Sequence, residues 1–271
     1  MPEADWRTMD RAALSAAYDN SGAVPGSADA MARLRERSAA FRAAHPGELD
    51  LPYGEAARRR VDVFRCGRAQ APLLAFIHGG YWQRNAKEGF SCLAEGPLAH
   101  GLDVAMIGYT LCPEATLTAL AGEVRAAVAW LRAHAARGRL VVSGWSAGGH
   151  LAALAMAWPG VDAGLAVSGV FDLAPIRRTA LDDALRLTPE EVASLSPIRQ
   201  LPAASGPLTV AFGTRELPEL RRQSAEYQAA RARAGLPGDL LPLDDDHFSI
   251  LDGLARPDGA LTRAAVALAR G

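Results

Sequence analysis

The chain has 271 residues, 49% of them hydrophobic, with 29 basic and 30 acidic side chains and a formal charge of −1. That apolar content is enough for a buried core and excludes a disordered chain. The near-zero charge, with no like-charge run longer than Arg58-Arg59-Arg60, argues against nucleic acid as a partner, because phosphate recognition calls for a basic patch. Cys66, Cys92 and Cys112 are an odd set at spacings that suit neither a disulfide framework nor a zinc site. Residues 1–10 carry acids rather than an apolar signal segment, and every apolar run stops well short of a membrane span. The expectation is one domain over 1–271, in the cytoplasm, without metal or cofactor; a homodimer is allowed by the sequence but not specified by it.

In chain order, residues 1–55 read as an arm of two helices. The second opens at Ser27 as N-cap, carries Met31, Leu34 and Phe41 on one face, and stops before Pro46 and Gly47. From Arg60 the pattern changes to short β-like runs at 61–65, 73–77, 104–109, 140–143, 164–168, 208–212 and 239–243. Several are apolar throughout, as strands covered on both faces should be. Helical stretches alternate with them. Leu117, Leu120, Val124, Val128 and Leu131 recur at three- and four-residue spacing, and a further helix is expected from Pro218 to about Ala234. The whole reads as α/β, a mostly parallel central sheet flanked by helices. Pro175, Pro189 and Pro197 break the alternation, so residues 170–200 are expected to form a short, cap-like helical insertion after the strand at 164–168.

The chemistry concentrates at three places. Gly144-Trp145-Ser146-Ala147-Gly148 matches the G-x-S-x-G pattern, with an apolar strand before it and an Ala-rich helix after it. A tight strand-to-helix turn would raise the Ser146 hydroxyl above the sheet edge as a nucleophile, and small neighbours are needed to make room for it. Upstream, His78-Gly79-Gly80-Tyr81-Trp82 follows a strand where glycines would let backbone N–H groups approach a substrate carbonyl. Gly79, Gly80 and Ala147 are the candidates for an oxyanion hole, with the two glycines not separated at this level. Downstream, Glu216 lies just past the strand at 208–212, and His247 follows the last strand. His247 alone among the six histidines comes after both the serine and an acid-bearing strand, so the order serine, acid, histidine is complete. Asp172 is the rival acid. Asp244, Asp245 and Asp246 are too close to the histidine in sequence to face its ring. His45, His100 and His134 read as solvent-facing, and His150 as packing or lining the site. Tyr81, Trp82 and Trp145 could wall a planar substrate.

These motifs resemble the arylformamidase, or kynurenine formamidase, branch of the α/β-hydrolases. The resemblance rests on HGGYW (78–82), GWSAGGHLAA (144–153), GVFDLAPIRRT (169–179), LSP (195–197), GTRELPELRRQS (213–224) and DHFSI (246–250), and it covers most of the chain after about residue 50. Glu216 stands where that family usually has aspartate. The resemblance implies an α/β-hydrolase fold and hydrolysis of N-formyl-L-kynurenine to kynurenine and formate, through an acyl-enzyme on Ser146 with His247 as base and Glu216 as its orienting acid. Two alternatives stay open: a carboxylesterase acting on short-chain or aryl esters with the same triad, and a catalytically silent scaffold that binds a small molecule.

Overall fold

The structure, a computed structural model, describes residues 5–271. The first four residues of the arm, and of the 1–10 segment read above as lacking a signal, lie outside the described part. The arm contains α1 (Arg11–Ala16), α2 (Asn20–Ala23) and α3 (Ser27–Ala44), followed by a strand, β1 (Glu48–Pro52). This corrects the two-helix reading. Helix α3 does begin at Ser27, but its N-cap is Gly26 in the left-handed region, and the Ser27 hydroxyl donates instead to Ser21 O at 3.0 Å. β1 has almost no buried face, so it carries no apolar alternation by which a sequence could announce it.

The remaining strands are β2 (Arg60–Phe64), β3 (Leu73–Ile77), β4 (Asp103–Ile107), β5 (Leu140–Trp145), β6 (Ala163–Val167), β7 (Leu208–Gly213) and β8 (Leu240–Leu243). They form one eight-stranded sheet in the order β1-β2-β4-β3-β5-β6-β7-β8. β2 runs antiparallel to both β1 and β4, and the rest pair in parallel. Every residue of β3 to β6 is buried. The pleat sends alternate side chains to opposite layers: Leu73, Ala75 and Ile77 enter one core and Leu74 and Phe76 the other.

The first core is closed by α5 (Leu117–His134) and α6 (Ala147–Ala155), the second by α3, α4 (Glu95–Ala99), α10 (Asp252–Ala255) and α11 (Ala260–Arg270). On α5 the expected stripe is buried, and Thr116 caps the first turn by accepting from Ala119 N at 3.2 Å. Each buried leucine or valine there stabilises the packing by about 1.5–3 kcal/mol. Residues 170–200 carry α7 (Asp182–Leu185) and α8 (Pro189–Leu195), the latter opened by a Thr188–Glu191 capping box. Ile176, Leu185 and Leu187 are buried in the first core, which holds this insertion against the body of the protein. Helix α9 (Pro218–Arg233) completes the layer after β7. No helix among the described residues is long and apolar enough to cross a membrane.

Candidate active site

Three parallel strands end at the same edge of the sheet, the edge where open α/β sheets bind ligands. β5 leads directly into Ser146 and then α6. Ser146 sits at φ 57°, ψ −117°, a conformation that a side chain adopts only when its surroundings impose it. The two glycines of the motif explain how the turn closes. A Cβ on Gly144 would lie 2.2 Å from Gly148 O, and one on Gly148 would lie 2.0 Å from Ile77 O, so any side chain would push the elbow off β3.

Glu216 comes from the β7–α9 turn and His247 from the loop after β8. His247 Nε2 lies 3.2 Å from Ser146 Oγ, and His247 Nδ1 lies 3.1 Å from Glu216 Oε2. The second carboxylate oxygen of Glu216 accepts from Ser168 Oγ at 2.6 Å and from Gly213 N at 2.7 Å. With the carboxylate drawing the Nδ1 proton, Nε2 is left as the acceptor that faces the serine hydroxyl. All three side chains are buried. The indole N–H of Trp145 donates to His247 O at 2.8 Å, which ties the histidine loop to the nucleophile turn.

The other candidates fall elsewhere. Asp172 faces away from the histidine: its Oδ1 accepts from Ala174 N and from Arg199 Nε, both at 3.1 Å. Asp244 pairs with Arg215, Asp245 accepts from Ser249 Oγ, and Asp246 caps the amides of Phe248 and Ser249. His150 is buried against Trp82, with ring centroids 5.0 Å apart, and bonds through Nε2 to Leu195 O at 2.7 Å. His78 stacks on Tyr109. Burial pushes the pKa of each of these two histidines down to about 4, so both are neutral near pH 7.

The 78–82 loop separates the two glycines. Gly79 is wedged under the elbow, where a Cβ would stand 2.6 Å from Trp145 O and 3.0 Å from Ser146 Cβ. Its carbonyl accepts from Asn85 Nδ2 at 3.1 Å and contacts His78 Nδ1 at 3.0 Å. In a trans peptide the following N–H points the opposite way. That N–H belongs to Gly80, which has φ +118° and lines a cavity beside Ser146. Ala147 is the first residue of α6, whose leading amides have no acceptor within the helix and carry its positive end.

The cavity has a volume of about 400 Å³. Tyr81 and Trp145 line it, together with Phe248. Trp82 does not, and this corrects its assignment to the substrate wall: it is fully buried in the first core, on the far side of a turn in which Gly80, Tyr81 and Trp82 all have positive φ. The outer wall settles the place of the amino-terminal arm, which the sequence left open between lying over the site and packing on the back. Among the described residues lining this cavity none comes from 170–200; Asn20, Ser21, Ser27, Ala28, Met31 and Arg35 of the amino-terminal arm close it instead.

Asn20 is the residue that sequence reasoning missed. It is buried, with Nδ2 3.2 Å from His247 Nε2 and 3.1 Å from the Tyr81 hydroxyl, which in turn donates to Tyr18 O at 2.7 Å. Desolvation raises the Tyr81 pKa well above the ordinary phenol value, so this hydroxyl stays protonated. No local signal could have found Asn20: it opens a four-residue helix and meets His247 across 227 positions of chain.

Comparison with known proteins identifies the family. The BD-FAE family matches residues 62–163. A kynurenine formamidase from Danio rerio is 32% identical over 96% of this chain and 96% of its own length. Another from Salmo salar is 33% identical over 79% of each chain. Among solved structures, a candidate thioesterase from Silicibacter sp. tm1040 superposes with a TM-score of 0.87 at 29% identity, covering 95% of this chain and 99% of that one. On its sheet topology, its elbow and its likeness to these relatives over nearly its full length, the chain is a hydrolase of the α/β-hydrolase fold and belongs to the kynurenine formamidase family.

Proposed function

We propose that the protein hydrolyses the formamide of N-formyl-L-kynurenine, releasing L-kynurenine and formate through a formyl-enzyme on Ser146. The observation that carries this reading is the unbroken run from Ser146 Oγ through His247 to Glu216, at 3.2 Å and 3.1 Å, on the floor of a cavity lined by Tyr81, Trp145 and Phe248. Ser146 attacks the formyl carbon as His247 Nε2 takes its proton, and Glu216 stabilises the imidazolium that forms. The amides of Gly80 and Ala147 receive the developing oxyanion, and Gly79 serves by letting the loop approach the elbow. His247 then protonates the departing aryl nitrogen. Water, deprotonated by the same ring, releases formate. Asn20 donates to the same Nε2 lone pair as the serine hydroxyl, and so helps to hold the resting imidazole in its tautomer.

The triad does not by itself choose between amide and ester, so an aryl ester is the competing substrate. Purified wild type and Ser146→Ala, assayed on N-formyl-L-kynurenine and on phenyl acetate, decide the matter. The expected result is turnover of the formamide by wild type and a loss of at least about 10³-fold in the variant. Wild-type rates on the formamide far below those on the ester would replace this reading with a carboxylesterase, and full activity of the variant on both would remove Ser146 from the mechanism. A silent scaffold predicts no turnover of either.

We also infer a cytoplasmic location, since three free thiols, two of them buried, suit a reducing compartment. The ligand in this reading is a small molecule and not nucleic acid. A homodimer would leave the mechanism unchanged, because one chain carries the serine, the acid and the histidine.

A further inference from the structure

The cavity changes character from floor to rim. At the floor Ser146 and His247 are buried, and the aromatic residues Trp145 and Phe248 line the wall beside them. At the rim stand two exposed guanidinium side chains on different walls, Arg35 from α3 and Arg84 from the loop that follows Gly80. Among the described residues lining this cavity there is no aspartate or glutamate, and neither arginine has a side-chain hydrogen bond or ion pair among the described residues. Of the adjoining hollows, one holds Asp19, whose carboxylate is engaged by the amide of Gly22 where it caps α2, and another holds Asp29, Asp246, which caps the amides of Phe248 and Ser249, and Asp252, which pairs with Arg37. Two unneutralised cations with no carboxylate between them make the mouth of the cavity a place where an anion is favoured over a neutral or cationic group. A guanidinium fork suits a carboxylate in particular.

We propose that Arg35 and Arg84 form an anion subsite that binds the carboxylate of the substrate, and so select aryl amides or esters that carry an acidic side arm on the ring. This rests on the proposed function for the identity of the scissile bond, but not for the sign of the charge selected. The geometry orders the ligand along the cavity, with its carbonyl at Ser146, its ring against Trp145 and Phe248, and its anionic arm at the rim. Part of the specificity therefore resides in the amino-terminal arm.

The test compares N-formyl-L-kynurenine with its decarboxylated analogue N-formylkynuramine, in wild type, Arg35→Ala, Arg84→Ala, the double variant and the double Arg→Lys variant. Each single alanine change is expected to raise KM for the carboxylate substrate about 3- to 10-fold, and the double change about 10- to 30-fold, with kcat within about 2-fold, as befits binding shared by ground and transition states. The analogue, whose remaining ammonium makes its arm cationic, should bind as well or better in the alanine variants, lysine should restore part of the loss on the carboxylate substrate, and added salt should raise the wild-type KM for the carboxylate substrate but not for the cationic analogue. An unchanged KM in the double variant, or equal losses on both substrates, would overturn the subsite. If wild type cleaves neither formamide, the formylkynurenine reading fails separately. The subsite is then read on 3-(4-acetoxyphenyl)propionate against phenyl acetate: a preference for the anionic ester that disappears in the double variant upholds it, and the lack of any preference overturns it.

Discussion

The loops after β6 and β7 begin alike and end differently. Each follows a buried parallel strand, each carries one acid a few residues on, and each opens toward the edge of the sheet where Ser146 stands. Asp172 turns outward to Arg199 and to its own loop amides, whereas Glu216 turns inward to His247. The difference lies in what the backbone offers. After β7, the Gly213 amide draws Glu216 Oε1 inward in a short turn, and Asp245 O crowds the place where a Cβ on residue 213 would stand, at 2.3 Å. After β6, Gln223 of α9 accepts from the amides of Phe171 and Asp172 and leads the chain off into the insertion. The first loop still serves the second: Ser168, at the end of β6, supplies a hydroxyl to the Glu216 carboxylate. A strand end can furnish an acid or a support for an acid, and the sequence of either loop alone does not say which.

The comparison can be broken most directly at the acid. Glu216→Gln keeps the size of the side chain but removes the charge that stabilises the imidazolium, and is expected to lower kcat/KM by about 10² to 10⁴-fold. A variant that keeps most of its activity would mean that the β7 loop is not the acid loop.

The next effect is on stability. The insertion after β6 is tied to α6 through the bond between His150 and Leu195 O, made by a ring that is neutral in the folded chain. A buried histidine with its pKa pushed down to about 4 binds its proton later than the unfolded chain, whose value is near 6.5. Stability should therefore be full above pH 6.5 and fall as pH drops toward 4, by at most about 3 kcal/mol for this group. His78 adds a loss of the same sign. Thermal melts across that range should show the decline, and His150→Gln should make it shallower.

Ser168→Ala sharpens the comparison by removing the support and leaving the acid. With one charge-assisted bond gone and the Gly213 amide still in place, kcat is expected to fall about 3- to 30-fold with KM nearly unchanged. The smallest effect belongs to Asp172→Asn, which should stay within about 2-fold of wild type on the same assay. Should Asp172→Asn be the more damaging of the two loop-acid variants, the roles assigned to the two loops would have to be exchanged.

Much of the sheet was legible because seven strands lie in or beside the core, and β3 to β6 are apolar on both faces. β1 was not, since an exposed edge strand has no pattern to betray it. The nucleophile turn could be read from its glycines, because the requirement they meet is steric and local. Tyr81 and Trp82 show where such reading stops. They are adjacent in one motif and look interchangeable as aromatic walls, yet successive left-handed residues direct one ring to the cavity and the other into the core.

The amino-terminal arm is the plainest case of what a sequence cannot carry. Its helical character follows from local spacing, but that Asn20 meets His247, and that Arg35 lines the same cavity as Ser146, depends on where α2 and α3 dock. Docking is set by shared burial: Leu34 and Phe41 of the arm enter the same core as Phe90 and Trp145, while Tyr18 reaches across to Glu219 and Gln223. The sequence by itself determined the sheet apart from its edge strand β1, the elbow and the order of serine, acid and histidine along the chain, since each of these answers to short-range sterics and alternation. Only the tertiary structure decided which acid faces the histidine, which aromatic ring faces the cavity and which segment closes it, because those outcomes depend on contacts between residues far apart in the chain.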